Sequence, residues 1–241
     1  MTPQPAARPG LARGSGARGC EALALESVPT IDELTIADEP EAWRALGFSV
    51  PDDVCEIAGV RVRLAGLRAG KGIVSWSLRD LDSEELDGLP TSRSESPALP
   101  PALPHPNGTV SIDHVVAVTP SFERTVQALR AAGLDLRRIR DEPTPAGAPR
   151  QAFFRLGREI LELVQEPQDL ATRRGGADRP AHFWGLAVLV DDIDATVKTM
   201  APHASPPRAA VQPGRRISTL RRSARLGVPI ALMSRNESGD G

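Results

Sequence analysis

The sequence predicts an α+β fold in which one unit, a strand followed by a helix and then two or three strands, occurs twice. Of the 241 residues, 40% are apolar, which is enough for a sizeable core. Strand-like and helix-like segments alternate after residue 110, and the apolar stripes of two helices recur at a constant separation. Each unit alone would leave one face of its sheet uncovered, so we expect the two units to pack together.

The first unit begins with the strand-forming run SIDHVVAV at residues 111–118. Thr119 and Pro120 follow, and these residue types suit the N-cap and the first position of a helix. Apolar residues then recur at the i, i+4, i+7 spacing of one helix face. They are Phe122, Val126 and Leu129. After a polar stretch with proline, QAFFRLGREILELVQ at 151–165 supplies the further strands.

The second unit begins with FWGLAVLV at residues 183–190 and leads through two aspartates into a second helix. The apolar stripe of that helix consists of Ile193, Val197 and Met200. Each of these residues lies 71 positions after its counterpart in the first stripe. The unit ends with RRISTLRRSARLGVPIALMS at 215–234, whose LGVPIALM matches LGREILELV of the first unit. The constant separation indicates that the two segments share one structure.

The rest of the chain divides into three parts. Residues 1–29 are rich in Pro and Gly, lack the apolar region of a secretory signal and predict a disordered leader. Residues 30–90 contain fainter copies of the units, since TIDELTIADEPEAWRALGF resembles SIDHVVAV with a shortened helix and GIVSWSLRDLD resembles WGLAVLVDDID. Residues 91–109 are rich in Pro and Ser and predict a linker. Residues 110–236 are then the domain of two units.

Charge and composition argue against several classes of partner. With 29 basic and 31 acidic residues, the net charge of -2 offers no overall electrostatic attraction to nucleic acid or to an anionic membrane. The longest apolar run, FWGLAVLV, is far shorter than the roughly 20 residues that span a bilayer. Two cysteines, Cys20 and Cys55, support neither a disulfide framework nor a thiolate metal site. We therefore expect a cytoplasmic protein with neither a nucleic acid nor a membrane as partner.

The D-H pair near the start of SIDHVVAV, the helix after it and the later strand reading ELV, duplicated as βαβββ modules, resemble the vicinal oxygen chelate superfamily. That superfamily includes glyoxalases, extradiol dioxygenases and bleomycin-resistance-type binders. The resemblance covers roughly residues 111–235. It implies paired βαβββ modules that form a curled sheet or cup around a divalent metal, with a degenerate N-terminal module at 30–90. It also implies metal ligands, typically histidine or glutamate, on the first and last strands of the modules.

The resemblance assigns the metal-ligand positions of the first module to His114 and Glu162. The 71-residue offset sends His114 to Gly185, and matching LELV with IALM sends Glu162 to Ala231, so two of four expected ligands are lost. In the faint N-terminal copy, aligning TID with SID puts Glu33 in the position of the histidine. An ion held by one imidazole and one carboxylate would depend mostly on water, whereas useful sites normally have three or four protein ligands. A divalent metal cofactor is therefore compatible with the pair but not favoured.

Trp184 and Arg221 are further candidates for ligand binding. Trp184 opens the first strand of the second unit, where packing into the core competes with stacking on a substrate as its role. Arg221 belongs to the five arginines of RRISTLRRSAR, which predict either a solvated hairpin or a clamp for a carboxylate or phosphate. The strand period of two places Arg221 and Arg225 on one face and Arg222 on the other, so only one set could face a cup.

We therefore expect a small-molecule-binding protein of the glyoxalase-like fold, with the ligand between the two C-terminal modules near His114, Glu162, Trp184 and Arg221. The alternative is a metal-dependent lyase, isomerase or dioxygenase of the same superfamily, with a ligand set completed by a distant residue or a second chain. A homodimer is compatible with both interpretations. A third alternative is a structural module whose cup is filled by side chains. The sequence leaves open whether the chain is an enzyme.

Overall fold

The computed structural model describes residue 1 and residues 28–100, 105–144 and 147–236, so most of the expected leader lies outside the described residues. The described chain is a mixed α+β structure in which strands predominate, which confirms the predicted fold class. The strands form two sheets, one of five strands and one of eight. Within the described ranges, no helix is long and apolar enough to cross a membrane.

The five-stranded sheet comes from the part of the chain before residue 94. Its strands are β1 (Thr30–Ile36), β2 (Val54–Ile57), β3 (Val60–Leu64), β4 (Ile73–Arg79) and β5 (Thr91–Arg93). The strand order is β2-β3-β1-β4-β5, and β1 runs parallel to β3 and antiparallel to β4. One short helix, α1 (Pro40–Ala45), follows β1 and buries Trp43. Strand β5 lies within the segment expected to be a linker and pairs in parallel with β4.

The eight-stranded sheet is built from two βαβββ modules. The first contains β6 (Thr109–Thr119), α2 (Phe122–Ala131), β7 (Asp135–Arg140), β8 (Gln151–Leu156) and β9 (Glu159–Gln165). After helix α3 (Gln168–Arg173), the second contains β10 (His182–Val190), α4 (Ile193–Thr199), β11 (Arg208–Ala209), β12 (Arg216–Thr219) and β13 (Ile230–Met233). The order is β11-β12-β13-β10-β6-β9-β8-β7, so the two modules meet at the antiparallel pair of β6 and β10.

The register of this central pair relates one module to the other. Val115 of β6 lies opposite Leu186 of β10. These two residues are 71 positions apart, which is also the separation of the two helical stripes. Since the same offset describes the helices and the central strands, equivalent residues of the two modules can be assigned from the sequence numbers.

The apolar stripes of α2 and α4 pack toward the sheets. The buried residues of the stripes are Phe122, Val126, Leu129, Ile193 and Met200. Val197 is only partly buried and packs against the same core. One cluster of buried apolar side chains contains residues of both sheets, and the rings of Trp76 and Phe183 meet edge-on across it, with centroids 5.1 Å apart. The two sheets therefore share a hydrophobic core.

Candidate functional site

A cavity of about 670 Å³ lies on one face of the eight-stranded sheet. Strands of the first module form one wall, and the segment between β11 and β12 forms another. Apolar side chains on the walls include Ile139, Phe153, Val211, Ile217 and Met233. Polar side chains on the walls include His114, Arg138, Arg140, Gln151 and Glu162. A mixed lining of this kind is usual for sites that bind small molecules.

His114 and Glu162 meet on the wall of the cavity. The Nε2 atom of His114 is 3.3 Å from Oε2 of Glu162. The parallel pairing of β6 and β9 brings them together, because Glu162 lies beside Val116, two residues after His114, so both side chains project from one face. Both side chains are mostly buried, with exposed fractions of 17% and 15%. The structure thus places side by side the two residues to which the resemblance assigned ligand positions.

Further hydrogen bonds hold both members of this pair. The Asp113 carboxylate lies 2.7 Å from Nδ1 of His114 and accepts a hydrogen bond from the guanidinium of Arg215. The side-chain amide of Gln151 donates to the other oxygen of Glu162. A doubly protonated imidazole would donate to both carboxylates, whereas a neutral imidazole can donate to only one of them. The result is a chain of five neighbouring polar side chains, of which His114, Glu162 and Gln151 line the cavity.

Asp113 is a carboxylate fixed from two sides. Its burial raises the pKa, but the hydrogen bonds with His114 and Arg215 outweigh that effect and hold the pKa below its ordinary value. A carboxylate behind one imidazole nitrogen fixes the orientation of the ring, and here it directs the other nitrogen toward Glu162 on the cavity wall. Asp113 therefore positions His114.

Asp113, Arg215 and Gln151 were not among the residues predicted to form the site. Neighbouring residues of a regular strand point to opposite faces, so strand alternation alone would turn Asp113 away from the ring of His114. A β-bulge at Asp113 breaks this alternation, since Ile112 and His114 pair with consecutive residues of β10. The adjacent D-H letters were the only local signal, and nothing local indicated Arg215, which is 102 positions away.

Trp184 and Arg221, the other two predicted ligand-binding residues, do not line this cavity. Trp184 lies at a bulge of β10, and 55% of its surface is exposed. The guanidinium of Arg221 donates to the carbonyl of Pro202. The structure therefore brings together His114 and Glu162 but leaves Trp184 and Arg221 apart from them.

A divalent metal, which the resemblance implies, would find two side-chain ligands here, His114 and Glu162. In the described part of the chain, no group of three or more His, Cys, Asp or Glu side chains is arranged to hold a metal. Val116 pairs with Glu162 in the first module, and Ala187, 71 positions later, pairs with Ala231 of β13 in the second. Ala231 is therefore the counterpart of Glu162. Gly185, 71 positions after His114, is the counterpart of His114. Neither has a side-chain ligand. These residues do not fit a metal held by the usual three or four protein ligands.

Comparison with known proteins gives a family match and several likenesses in fold. Residues 111–223 match the family model described as Glyoxalase/Bleomycin resistance protein/Dioxygenase superfamily. No curated protein matches the sequence. A mutant of 4-hydroxymandelate synthase from Streptomyces coelicolor is 15% identical with a TM-score of 0.58, and the match covers 88% of this chain and 93% of that one. This likeness shows the fold, and its coverage extends over both sheets.

Two further solved structures are similar over different lengths. A xylose isomerase-like TIM barrel/4-hydroxyphenylpyruvate dioxygenase fusion protein is 12% identical with a TM-score of 0.57, and the match covers 89% of this chain and 50% of that one. Methylmalonyl-CoA epimerase from Mycobacterium tuberculosis is 17% identical with a TM-score of 0.43 and matches 53% of this chain and 89% of its own. At these identities the fusion protein informs only the fold, and the low TM-score of the epimerase supports no argument.

Proposed function

We propose that this chain, whose residues 111–223 belong to the glyoxalase/bleomycin resistance protein/dioxygenase superfamily, binds a small organic molecule in the cavity of its eight-stranded sheet. His114 and Glu162 would be the polar anchors of that molecule. The observation that supports the proposal is that this pair lies on the wall of a cavity of about 670 Å³ and is held from behind by other polar side chains. Binding sites of this kind combine apolar walls with a few fixed polar groups.

The same residues contain the parts of a general acid–base system. A histidine oriented by the buried carboxylate of Asp113 can exchange a proton with a group bound in the cavity, provided that the group lies within hydrogen-bond reach. Glu162 can accept a hydrogen bond from the same group. If the chain is an enzyme, proton transfer to or from the bound molecule is the chemistry that its own residues supply.

We also propose that the protein works in the cytoplasm. The support is its composition: only two cysteines occur in 241 residues, as is usual in a reducing compartment. Fractionation of cells that express a tagged copy tests this, and recovery from the membrane or secreted fraction would contradict it.

A ligand-observed NMR screen of a library of small organic molecules tests the binding proposal. Ala210→Trp fills the cavity from a partly exposed position on its wall and is expected to abolish binding. His114→Ala and Glu162→Gln are each expected to weaken binding about tenfold, the effect of losing one charge-assisted hydrogen bond. Trp184→Ala, which changes an exposed residue outside the cavity, is the matched control and should bind normally. Ligands that still bind the Ala210→Trp variant would contradict the proposal.

The metal-dependent lyase, isomerase or dioxygenase is the second candidate, because the resemblance assigns metal-ligand positions to His114 and Glu162, which lie side by side. Elemental analysis of protein purified without chelator separates it from the first. Stoichiometric divalent metal in the wild type that is lost in both His114→Ala and Glu162→Ala would support the metal-dependent enzyme. Metal-free protein that binds small molecules would support the first proposal.

A further inference from the structure

Three residues of the cavity wall form one row across strands β7, β8 and β9. Arg138 lies opposite Phe153, and Phe153 lies opposite Glu162. Directly opposed residues of neighbouring strands project from the same face of a sheet. The row therefore runs from the His114–Glu162 pair to Arg138 on the outer strand, about 10 Å away at two strand spacings.

A β-bulge in β7 aims Arg138 into this row. Leu136 lies opposite Phe154, and the next pair is Arg138 with Phe153, so Arg137 is the extra residue. Without the bulge, Arg137 would oppose Phe153 and Arg138 would face the other side. Arg137 instead forms an exposed ion pair with Asp135 at 3.1 Å. Bulges often re-aim a side chain next to a binding site.

The ring of Phe153 supports the guanidinium of Arg138. The guanidinium carbon lies 4.9 Å from the ring centroid. Stacking of this kind uses a face of the guanidinium and leaves its N–H edges for other partners. Of the carboxylates in the described ranges, none forms an ion pair with Arg138. The cavity wall therefore carries a positively charged group with hydrogen-bond donors to spare.

The acidic residues nearest to Arg138 along the chain are paired with other cations. Glu142 lies 3.4 Å from the guanidinium of Arg140. Asp141 accepts a hydrogen bond from Arg150 at 2.6 Å. Both carboxylates line the cavity and each has an arginine partner, although Arg150 also pairs with Glu123. Of the two arginines on this wall, Arg138 is therefore the one without a carboxylate partner among the described residues.

The other end of the row offers hydrogen-bond acceptors. Glu162 accepts a hydrogen bond from Gln151 and lies 3.3 Å from Nε2 of His114, and a carboxylate with about four lone-pair sites can accept further bonds. Gln151 is 8% exposed, and its side-chain oxygen is buried without a hydrogen-bond partner among the residues that the structure describes. Leaving a buried acceptor unpaired is costly, so a donor brought to this end by a ligand would be stabilised.

We propose that the cavity takes a small organic carboxylate that has a hydroxyl or amine donor at its other end. This inference rests on the proposed function of the same cavity. The carboxylate would bind the N–H edge of Arg138, because the planar guanidinium fork matches the two oxygens of a carboxylate. The donor at the other end would face Glu162 and Gln151.

Titration with ω-hydroxyhexanoate and with its uncharged amide tests this inference, and ligand-observed NMR measures the two dissociation constants. The acid is expected to bind the wild type about tenfold more tightly than the amide, because only the acid makes a charge-assisted bond to Arg138. Arg138→Gln is expected to abolish this preference. Arg137→Gln removes the neighbouring, outward-facing arginine and should retain it. Hexanoate, which lacks the hydroxyl, is expected to bind more weakly than ω-hydroxyhexanoate.

The outcomes separate this inference from the proposed function. Equal binding of acid and amide to the wild type, or an unchanged preference in Arg138→Gln, would overturn the carboxylate inference. If the probes bind in this way and Ala210→Trp abolishes their binding, the carboxylate inference is wrong but the proposed function of the cavity is still supported. Acid binding that survives Ala210→Trp would contradict the proposed function itself. If neither probe binds at millimolar concentration, the inference is wrong, and the library screen still decides the proposed function.

Discussion

The two sheets share one strand arrangement. The order β2-β3-β1-β4-β5 of the five-stranded sheet corresponds to β8-β9-β6-β10-β13 within the eight-stranded sheet. In both sheets the central first strand runs parallel to one neighbour and antiparallel to the other. The irregularities correspond as well, because Asp32 in β1 and Asp113 in β6 are the bulged residues at the same point of the ladder.

Equivalent positions of the two sheets carry different chemistry. By strand register, Glu33 corresponds to His114 and Arg63 corresponds to Glu162. Arg63 donates two hydrogen bonds to the Glu33 carboxylate, at 2.9 and 2.8 Å, so these two side chains satisfy each other. The His114–Glu162 pair instead lies on the wall of a cavity. Register therefore places the side chains, whereas residue identity decides whether they form a closed ion pair or part of a cavity wall.

Replacing the bulged residues Asp32 and Asp113 with alanine should show which of the two carboxylates stabilises the fold and which mainly positions the site. The larger loss of stability is expected for Asp32 in β1. The side chain of Asp32 is 3% exposed and pairs with Arg61 and Arg79, so Asp32→Ala should lower the free energy of unfolding by about 3 kcal/mol. The side chain of Asp113 is 15% exposed and pairs with Arg215, so Asp113→Ala should cost about 1 kcal/mol. Urea denaturation measures both. Equal losses would remove this distinction between the sheets.

Exchanging the pair tests whether residue identity decides its role. The double variant His114→Glu, Glu162→Arg would copy into the eight-stranded sheet the ion pair of Glu33 and Arg63. Its free energy of unfolding should fall by about 1–3 kcal/mol, because both positions are mostly buried and the exchange removes the imidazole that pairs with Asp113. Its binding of ω-hydroxyhexanoate should weaken about tenfold, because the acceptor that faces the hydroxyl is gone.

The matched control for the exchange is Glu33→Gln combined with Arg63→Gln. It removes the equivalent ion pair from the five-stranded sheet, whose residues do not line the cavity, so probe binding should not change. Unchanged binding in the exchange variant would show that His114 and Glu162 are not anchors of the ligand.

The smallest expected effect is a change with pH in the unfolding free energy that the Asp113 carboxylate contributes. Burial raises the pKa of Asp113, but the hydrogen bonds of His114 and Arg215 lower it further, so the folded pKa lies below the ordinary value of 3.8. Folding therefore favours the carboxylate, and its contribution is present above the unfolded pKa and lost as the pH falls through the folded pKa. The difference in unfolding free energy between the wild type and Asp113→Asn should shrink below about pH 4. Urea titrations from neutral to acidic pH measure it, and a difference independent of pH would argue against a stabilised carboxylate.

Much of the fold was predictable from the sequence because it depends on local patterns. The helical stripes that contain Val126 and Val197 and the strand run at 111–118 mark the two modules, and the 71-residue offset relates them. The proximity of His114 and Glu162 followed from the resemblance to a family in which these positions adjoin. The positions of Trp184 and Arg221 were not predictable in this way. The exposure of Trp184 depends on what packs against its strand, and Arg221 caps a 3-10 turn at Arg222–Ala224, so the strand period of two does not apply to it.

The two βαβββ modules and their α+β class follow from periodicity along the chain, whereas the resemblance to the superfamily pointed to His114 and Glu162. Only the tertiary structure decided which polar side chains share the cavity wall. Arg138 faces the cavity and Asp113 contacts His114 because bulges in β7 and β6 break the strand alternation on which sequence reasoning depends. Arg215 reaches Asp113 because the two modules pack together, and no local pattern encodes a contact between residues so far apart in the chain.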